Sequence, residues 1–167
     1  MKRLVAGLAL TLAAMTQPAA AQERPEPPRW TLVIHGGAGV IDRTRITPEQ
    51  DAAIRAALDA ALAEGSRILA AGGTAMDAVE ATVRLLEDDP HFNAGRGAVF
   101  TWDGTVELDA AIMDGSTRGA GAVARLSTTR HPVSAARAVM ADSPHGLLPG
   151  AQADGFAAGR GLEQVPN

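Results

Sequence analysis

The chemistry this chain can offer is concentrated in one run, Leu86-Glu87-Asp88-Asp89-Pro90-His91-Phe92-Asn93-Ala94-Gly95-Arg96-Gly97, and most of it is backbone chemistry. Pro90 ends the helix before it, because its ring lacks an N–H and clashes with the preceding turn. Gly95 and Gly97 permit dihedrals closed to other residues. Carbonyls released at a helix C-terminus have no partner within the helix. Turned toward one point, they can hold a hard cation or anchor a neighbouring loop. Asn93, in the middle of the run, has an amide that donates and accepts at once, although a plain Asx turn uses the same property.

A second candidate is the glycine loop His35-Gly36-Gly37-Ala38-Gly39. A dinucleotide site needs G-x-G-x-x-G, but Asp42 stands where the third glycine should lie. A lipase-like oxyanion loop needs a G-x-S-x-G elbow, and the sequence has none. A tight turn at the end of a strand accounts for the loop equally well. His35, His91, His131 and His145 fall on separate segments without ligand spacing, which favours structural or solvated roles over a metal site. Asp109 and Asp114 could be paired catalytic carboxylates, but five residues apart on a strand they point to opposite faces. Turn formation and hydrogen bonding suit them better, Asp114 before Gly115 above all.

These residues need a scaffold, and the pattern supplies one in sequence order. Residues 30–35 are rich in β-formers and read as a buried strand running into the glycine loop. Thr47-Pro48-Glu49-Gln50 is a helix start with a capping box, and Ile54, Leu58, Ala61, Leu62, Gly65, Ile68 and Leu69 give its apolar face until Gly72-Gly73. Thr74 caps a second helix whose stripe is Met76, Val79, Val83 and Leu86. Residues 97–102 and 105–108 read as a hairpin, with Asp103-Gly104 as a type I′ turn. Strands through Ile112-Met113 and over 120–126 follow, rich enough in Ala and Gly for another layer to approach closely. Pro132 starts a helix through Met140, and the apolar pair Leu147-Leu148 leads into a last helix near 152–158. The order is α+β, with helices on a sheet, and not an alternating parallel sheet.

The bulk properties agree with a packed globule of one domain: 167 residues, 46% hydrophobic and only 3% aromatic, so the core is aliphatic and alanine-rich. There are no cysteines, hence no disulfide, thiolate metal site or cysteine nucleophile. A net charge of −4 without a long basic run argues against nucleic acid and against a membrane surface as partners. Residues 1–21 carry Lys2-Arg3, an apolar run and Ala19-Ala20-Ala21, the pattern of a secretory signal peptide, which predicts a periplasmic or secreted protein. Residues 22–29, with Pro25, Pro27 and Pro28, read as an extended linker.

Taken together, the 86–97 run, His35-Gly36-Gly37-Ala38-Gly39, Leu108-Asp109-Ala110-Ala111-Ile112-Met113-Asp114-Gly115 and Ser143-Pro144-His145 closely resemble the N-terminal half of plant-type L-asparaginases, also called isoaspartyl peptidases. Those enzymes are N-terminal-nucleophile hydrolases. The resemblance implies that residues 30–167 are the α-subunit half of an αββα sandwich. It implies a structural sodium ion held by backbone oxygens of Leu86, Glu87, Asp89, Phe92, Ala94 and Arg96, and no other cofactor. Asn93 matches an asparagine beside the nucleophile, and His35, Gly36 and Gly37 match the segment that approaches the active site. The family exposes its threonine nucleophile by autocatalytic cleavage, within a Thr-Val-Gly-Ala-Val-like strand opening the second half. Thr105-Val106 is similar for two residues, but Glu107-Leu108 follows and a hairpin turn explains the site. The 167 residues are therefore expected to be inactive alone and to work with a β-subunit half carrying the threonine, as a homodimer of αβ units. The substrate would be L-asparagine or a β-aspartyl peptide. A catalytically dead remnant or a non-enzymatic binding module with the same half-fold is the alternative.

Overall fold

A computed structural model describes residues 29–37 and 44–167. The expected signal peptide, all of the linker but Arg29, and Ala38-Gly39 of the glycine loop lie outside the described residues. The elements are α1 (Pro48–Ala70), α2 (Ala75–Asp88), a 3₁₀ turn (Gly95–Gly97), β1 (Leu108–Met113), β2 (Ala120–Leu126), α3 (Pro132–Asp142), β3 (Leu147–Pro149) and α4 (Gly150–Gly159). This is the α+β class expected for the first half of an N-terminal-nucleophile sandwich.

The helix starts are where their caps put them. Thr47 Oγ1 accepts from Gln50 N at 3.2 Å while Gln50 Oε1 accepts from Thr47 N at 3.0 Å, closing the capping box. Thr74 Oγ1 accepts from Asp77 N at 3.1 Å at the start of α2. The two helices pack closely because Gly65 leaves room: a Cβ there would overlap Thr82 Oγ1. Ala78, Thr82 and Leu86, four residues apart, form the buried line of α2. Val79, expected in that line, is 39% exposed and lines a small cleft with Leu32 to His35.

The sheet has the order β1-β2-β3, antiparallel between β1 and β2 and parallel between β2 and β3. One face carries α3 and α4 over a core of Ile112, Val123, Leu126, Val139, Ala153 and Ala157. The close approach expected of small residues is realised at Gly121, where a Cβ would overlap Ala136 O and Met140 N of α3. A bulge separates the pairs Leu108↔Leu126 and Ala110↔Val123, and Arg125 within it has φ 57°. Asp109 Oδ1 accepts the Arg125 N–H at 2.8 Å, and Asp114 Oδ1 accepts from Ser116 N at 2.8 Å in the following turn. Hydrogen bonding is thus what these two carboxylates do.

Two expectations are corrected. Residues 30–35 form no strand and pair with none among the described residues, although exposure alternates along them, with Leu32 and Ile34 half-buried and Val33 83% exposed. A period-2 run has its dihedrals locally, but a ladder needs a neighbouring edge. The hairpin has one bridge, Phe100↔Val106, and the Thr101 N–H donates to Thr105 O at 2.8 Å, leaving residues 102–104 as the loop. Gly104 alone has positive φ, 78°, with Gly104 N donating to Thr101 O, so the turn is not type I′. β3 is a short strand that the Leu147-Leu148 pair was too brief to announce, and it makes β2-α3-β3 a parallel unit within the α+β whole.

Candidate functional site

The 86–97 run folds into a knot at the end of α2. Leu86 O accepts from Asp89 N at 3.3 Å, Asp89 O from Phe92 N at 3.3 Å, Phe92 O from Ala94 N at 2.8 Å, and Ala94 O from Gly97 N at 3.0 Å. Each of these carbonyls keeps a second lone pair. The knot closes only because two residues lack side chains. Gly95 has φ 48°, and a Cβ on it would overlap Glu87 O and come within 2.8 Å of Glu87 Cβ; one on Gly97 would overlap Phe92 O and lie 2.8 Å from Pro90 O. The Glu87 carbonyl thus lies against Gly95, and the Pro90 and Phe92 carbonyls lie against Gly97. Among the described residues, no cluster of three or more His, Cys, Asp or Glu offers a side-chain metal site.

Beneath the knot lies a polar network that the sequence did not reveal. Glu87 is 4% exposed; its Oε1 accepts the Val133 N–H at 2.9 Å, and Oε2 lies 3.3 Å from His131 Nδ1. Burial pushes the Glu87 carboxyl up to about 7, against the pull of the Val133 N–H. Burial likewise lowers the His131 imidazole. Arg130 joins the rim, bonded to Asp88 Oδ1 at 3.0 Å and Glu163 Oε1 at 2.8 Å. At the far end of β2, Asp154 of α4 accepts five hydrogen bonds, from the N–H and hydroxyl of Ser127 and of Thr129 and the N–H of Thr128, at 2.7–3.2 Å. Burial would raise its carboxyl, but the donors outweigh it and hold it below the ordinary value.

Two clefts flank the knot. One of about 420 Å³ is lined by Glu87, Gly95, Arg96, Val106, Thr129 and Asn167. The other, about 260 Å³, has Asn93, Gly95, Val99, Asp109 and Pro132 on its walls. Asn93 is exposed, and its Oδ1 accepts the Val99 N–H at 3.0 Å, which ties the knot to the hairpin. His35 Nδ1 accepts the Gly37 N–H at 3.1 Å, a local turn. Gly36 meets the knot by packing: a Cβ on it would be 3.6 Å from the Phe92 ring, whose buried cluster includes Leu86 and Ala61. Residues 35–37 line neither flanking cleft. The structure thus joins the two glycine segments through Phe92 while leaving their open spaces apart. His91 Nδ1 is 2.7 Å from Asp89 Oδ1, and His145 sits in an exposed turn with its N–H on Ser143 Oγ, so of the four histidines only His131 is buried.

The sequence is similar to known proteins over most of the described residues. A family model described as asparaginase matches residues 28–167. The isoaspartyl peptidase of Escherichia coli strain K12 is 52% identical over 134 residues, 80% of this chain and 42% of the relative. The plant-type L-asparaginase of Thermococcus kodakarensis is 46% identical over 133 residues, again 80% and 42%. The isoaspartyl peptidase/L-asparaginase of Rattus norvegicus is 44% identical over 135 residues, 81% of this chain and 39% of the relative. The chain spans less than half the length of these curated relatives.

Proposed function

The chain belongs to the asparaginase family, and from that premise we propose that it is the α-subunit portion of an amidohydrolase that cleaves the side-chain amide of L-asparagine or the isoaspartyl bond of β-aspartyl peptides. In this reading the 167 residues build scaffold and one wall of the pocket. Bond breaking falls to a threonine in a β-subunit half, released by self-cleavage, whose free amine serves as general base to its own hydroxyl. Asn93 contributes to that wall, and the His35-Gly36-Gly37 turn supports it from behind, through the Phe92 ring on which Gly36 packs. Backbone oxygens of Leu86, Glu87, Asp89, Phe92, Ala94 and Arg96 would hold a sodium ion that stiffens the knot. The signal peptide proposed over residues 1–21 would carry the protein to the periplasm or beyond, where αβ units pair as a homodimer.

The observation that supports the division of labour is what the fold leaves bare. α3 and α4 cover one face of the sheet. On the opposite face Ala111, Met113, Ala120 and Leu147 are exposed, Met113 at 59% and Leu147 at 52%. An apolar sheet face of this kind fits a sandwich with its second layer still to be added. The test is to express the reading frame extended through a Thr-Val-Gly-Ala-Val-like segment. Two fragments, the second with threonine as its N-terminal residue by mass spectrometry, together with ammonia release from L-asparagine, are expected. An extended product that stays in one piece and releases no ammonia would refute the hydrolase reading and leave a binding module.

A further inference from the structure

Glycines shape the knot, but one side chain fastens it to the rest of the molecule. Glu87 is more buried than any other carboxylate among the described residues. Two constraints meet on it. Its backbone oxygen and Cβ are the floor on which Gly95 sits. Its carboxylate accepts the Val133 N–H and faces His131, at the start of α3. That start has need of it: Pro132 has no N–H to give, His131 makes no side-chain cap, and the Ser134 and Ala135 N–H groups both go to His131 O. Glu87, Asn93, Gly95 and Pro132 also share the walls of the smaller cleft.

We infer that Glu87 is a positioning residue, holding the Asn93–Gly95 wall at a fixed place relative to α3 and so to the sheet that α3 covers. A capping role alone would explain the Val133 bond but not the seating of Gly95 on the same residue. Because both constraints meet in one residue, releasing the carboxylate frees the end of α2, with the knot seated on it, to shift relative to α3. The consequence for turnover rests on the proposed function; the coupling itself does not.

The experiment compares Glu87→Ala and Glu87→Gln in the full chain by hydrogen exchange at Ala94, Gly97, Ala98 and Val99, whose amides are bonded within the knot, with amides of α1 as reference. Glu87→Ala is expected to speed exchange at these four by about tenfold or more relative to α1, as loss of a buried acceptor implies. Glu87→Gln keeps an acceptor for Val133 and a donor for His131, and is expected to restore protection to within about threefold. In the active protein kcat should fall with Glu87→Ala and recover with Glu87→Gln. Exchange that rises equally in α1 and the knot, or no rise at all, would overturn the inference, as would a Gln variant as damaged as the Ala variant. If Glu87→Ala does not fold, Glu87→Met, which keeps the volume without the acceptor, takes its place. Absence of hydrolysis by the unsubstituted protein would count against the proposed function, while the exchange comparison, which needs no substrate, still decides this inference.

Discussion

Replacing Gly95 by alanine tests the knot at the point where its geometry is most demanding. Two costs add. At φ 48° a Cβ crowds its own backbone, worth about 1–2 kcal/mol. The new methyl would also overlap Glu87 O and approach Glu87 Cβ and C at 2.8 and 2.9 Å, which are fixed by α2 and cannot swing aside. Overpacking of that kind costs about 1–3 kcal/mol, so Gly95→Ala should destabilise by about 2–5 kcal/mol, a large part of a typical domain's margin. Gly104→Ala is the matched control, with φ 78° and nothing within 4 Å of the added Cβ; only the first cost applies, about 1–2 kcal/mol. Urea denaturation of the full chain reads both as shifts in midpoint at constant slope. The sodium ion proposed for the knot gives a second test: sodium chloride should raise the midpoint of the parent over choline chloride, and should not raise that of Gly95→Ala. Equal losses for the two substitutions would refute the argument that Glu87 forms a rigid floor under Gly95.

Further consequences are open to measurement. Asp154→Ala strands five donors at the end of β2 and should cost about 3 kcal/mol or more in chemical denaturation, since each buried unpaired donor is penalised. The lowered Asp154 carboxyl binds its proton less readily folded than unfolded, so its contribution is full above the ordinary value of 3.8 and fades as pH falls through the folded value; Asp154→Asn should flatten the stability profile in that acid window. Asn93→Ala removes the acceptor of the Val99 N–H at an exposed position, for about 1 kcal/mol of stability, while ammonia release should fall far more than stability does. Met113→Lys on the bare face should make residues 22–167 more soluble in sedimentation experiments and abolish co-purification with the second half.

Much of this molecule was legible because it is written in local chemistry. Thr47, Gln50 and Thr74 specify their helix starts through bonds spanning three residues, and Pro132 begins α3, so caps and proline suffice to place them. Gly95 and Gly97 announce a tight backbone, although only the fold shows that the carbonyls of Glu87 and Phe92 are what they accommodate. The β-formers of residues 30–35 point to a buried strand, yet strand pairing depends on a neighbour, and no residue in the run says whether one is present. The network under the knot was hidden for a related reason. Glu87 and Val133 are 46 residues apart, and a glutamate in the last turn of a helix gives no sign that it will be buried beneath the start of another. Val79 falls outside the buried line because spacing identifies an apolar side of α2 but not which part of that side packs on Gly65, a place taken by Thr82.

The central claim is that this polypeptide supplies structure and not the nucleophile, and it is tested most directly by the rate of ammonia release from L-asparagine by purified residues 22–167, alone and after mixing with a separately produced second half beginning at threonine. No release above background alone, and release on mixing, is the predicted result. Turnover by residues 22–167 alone would contradict it.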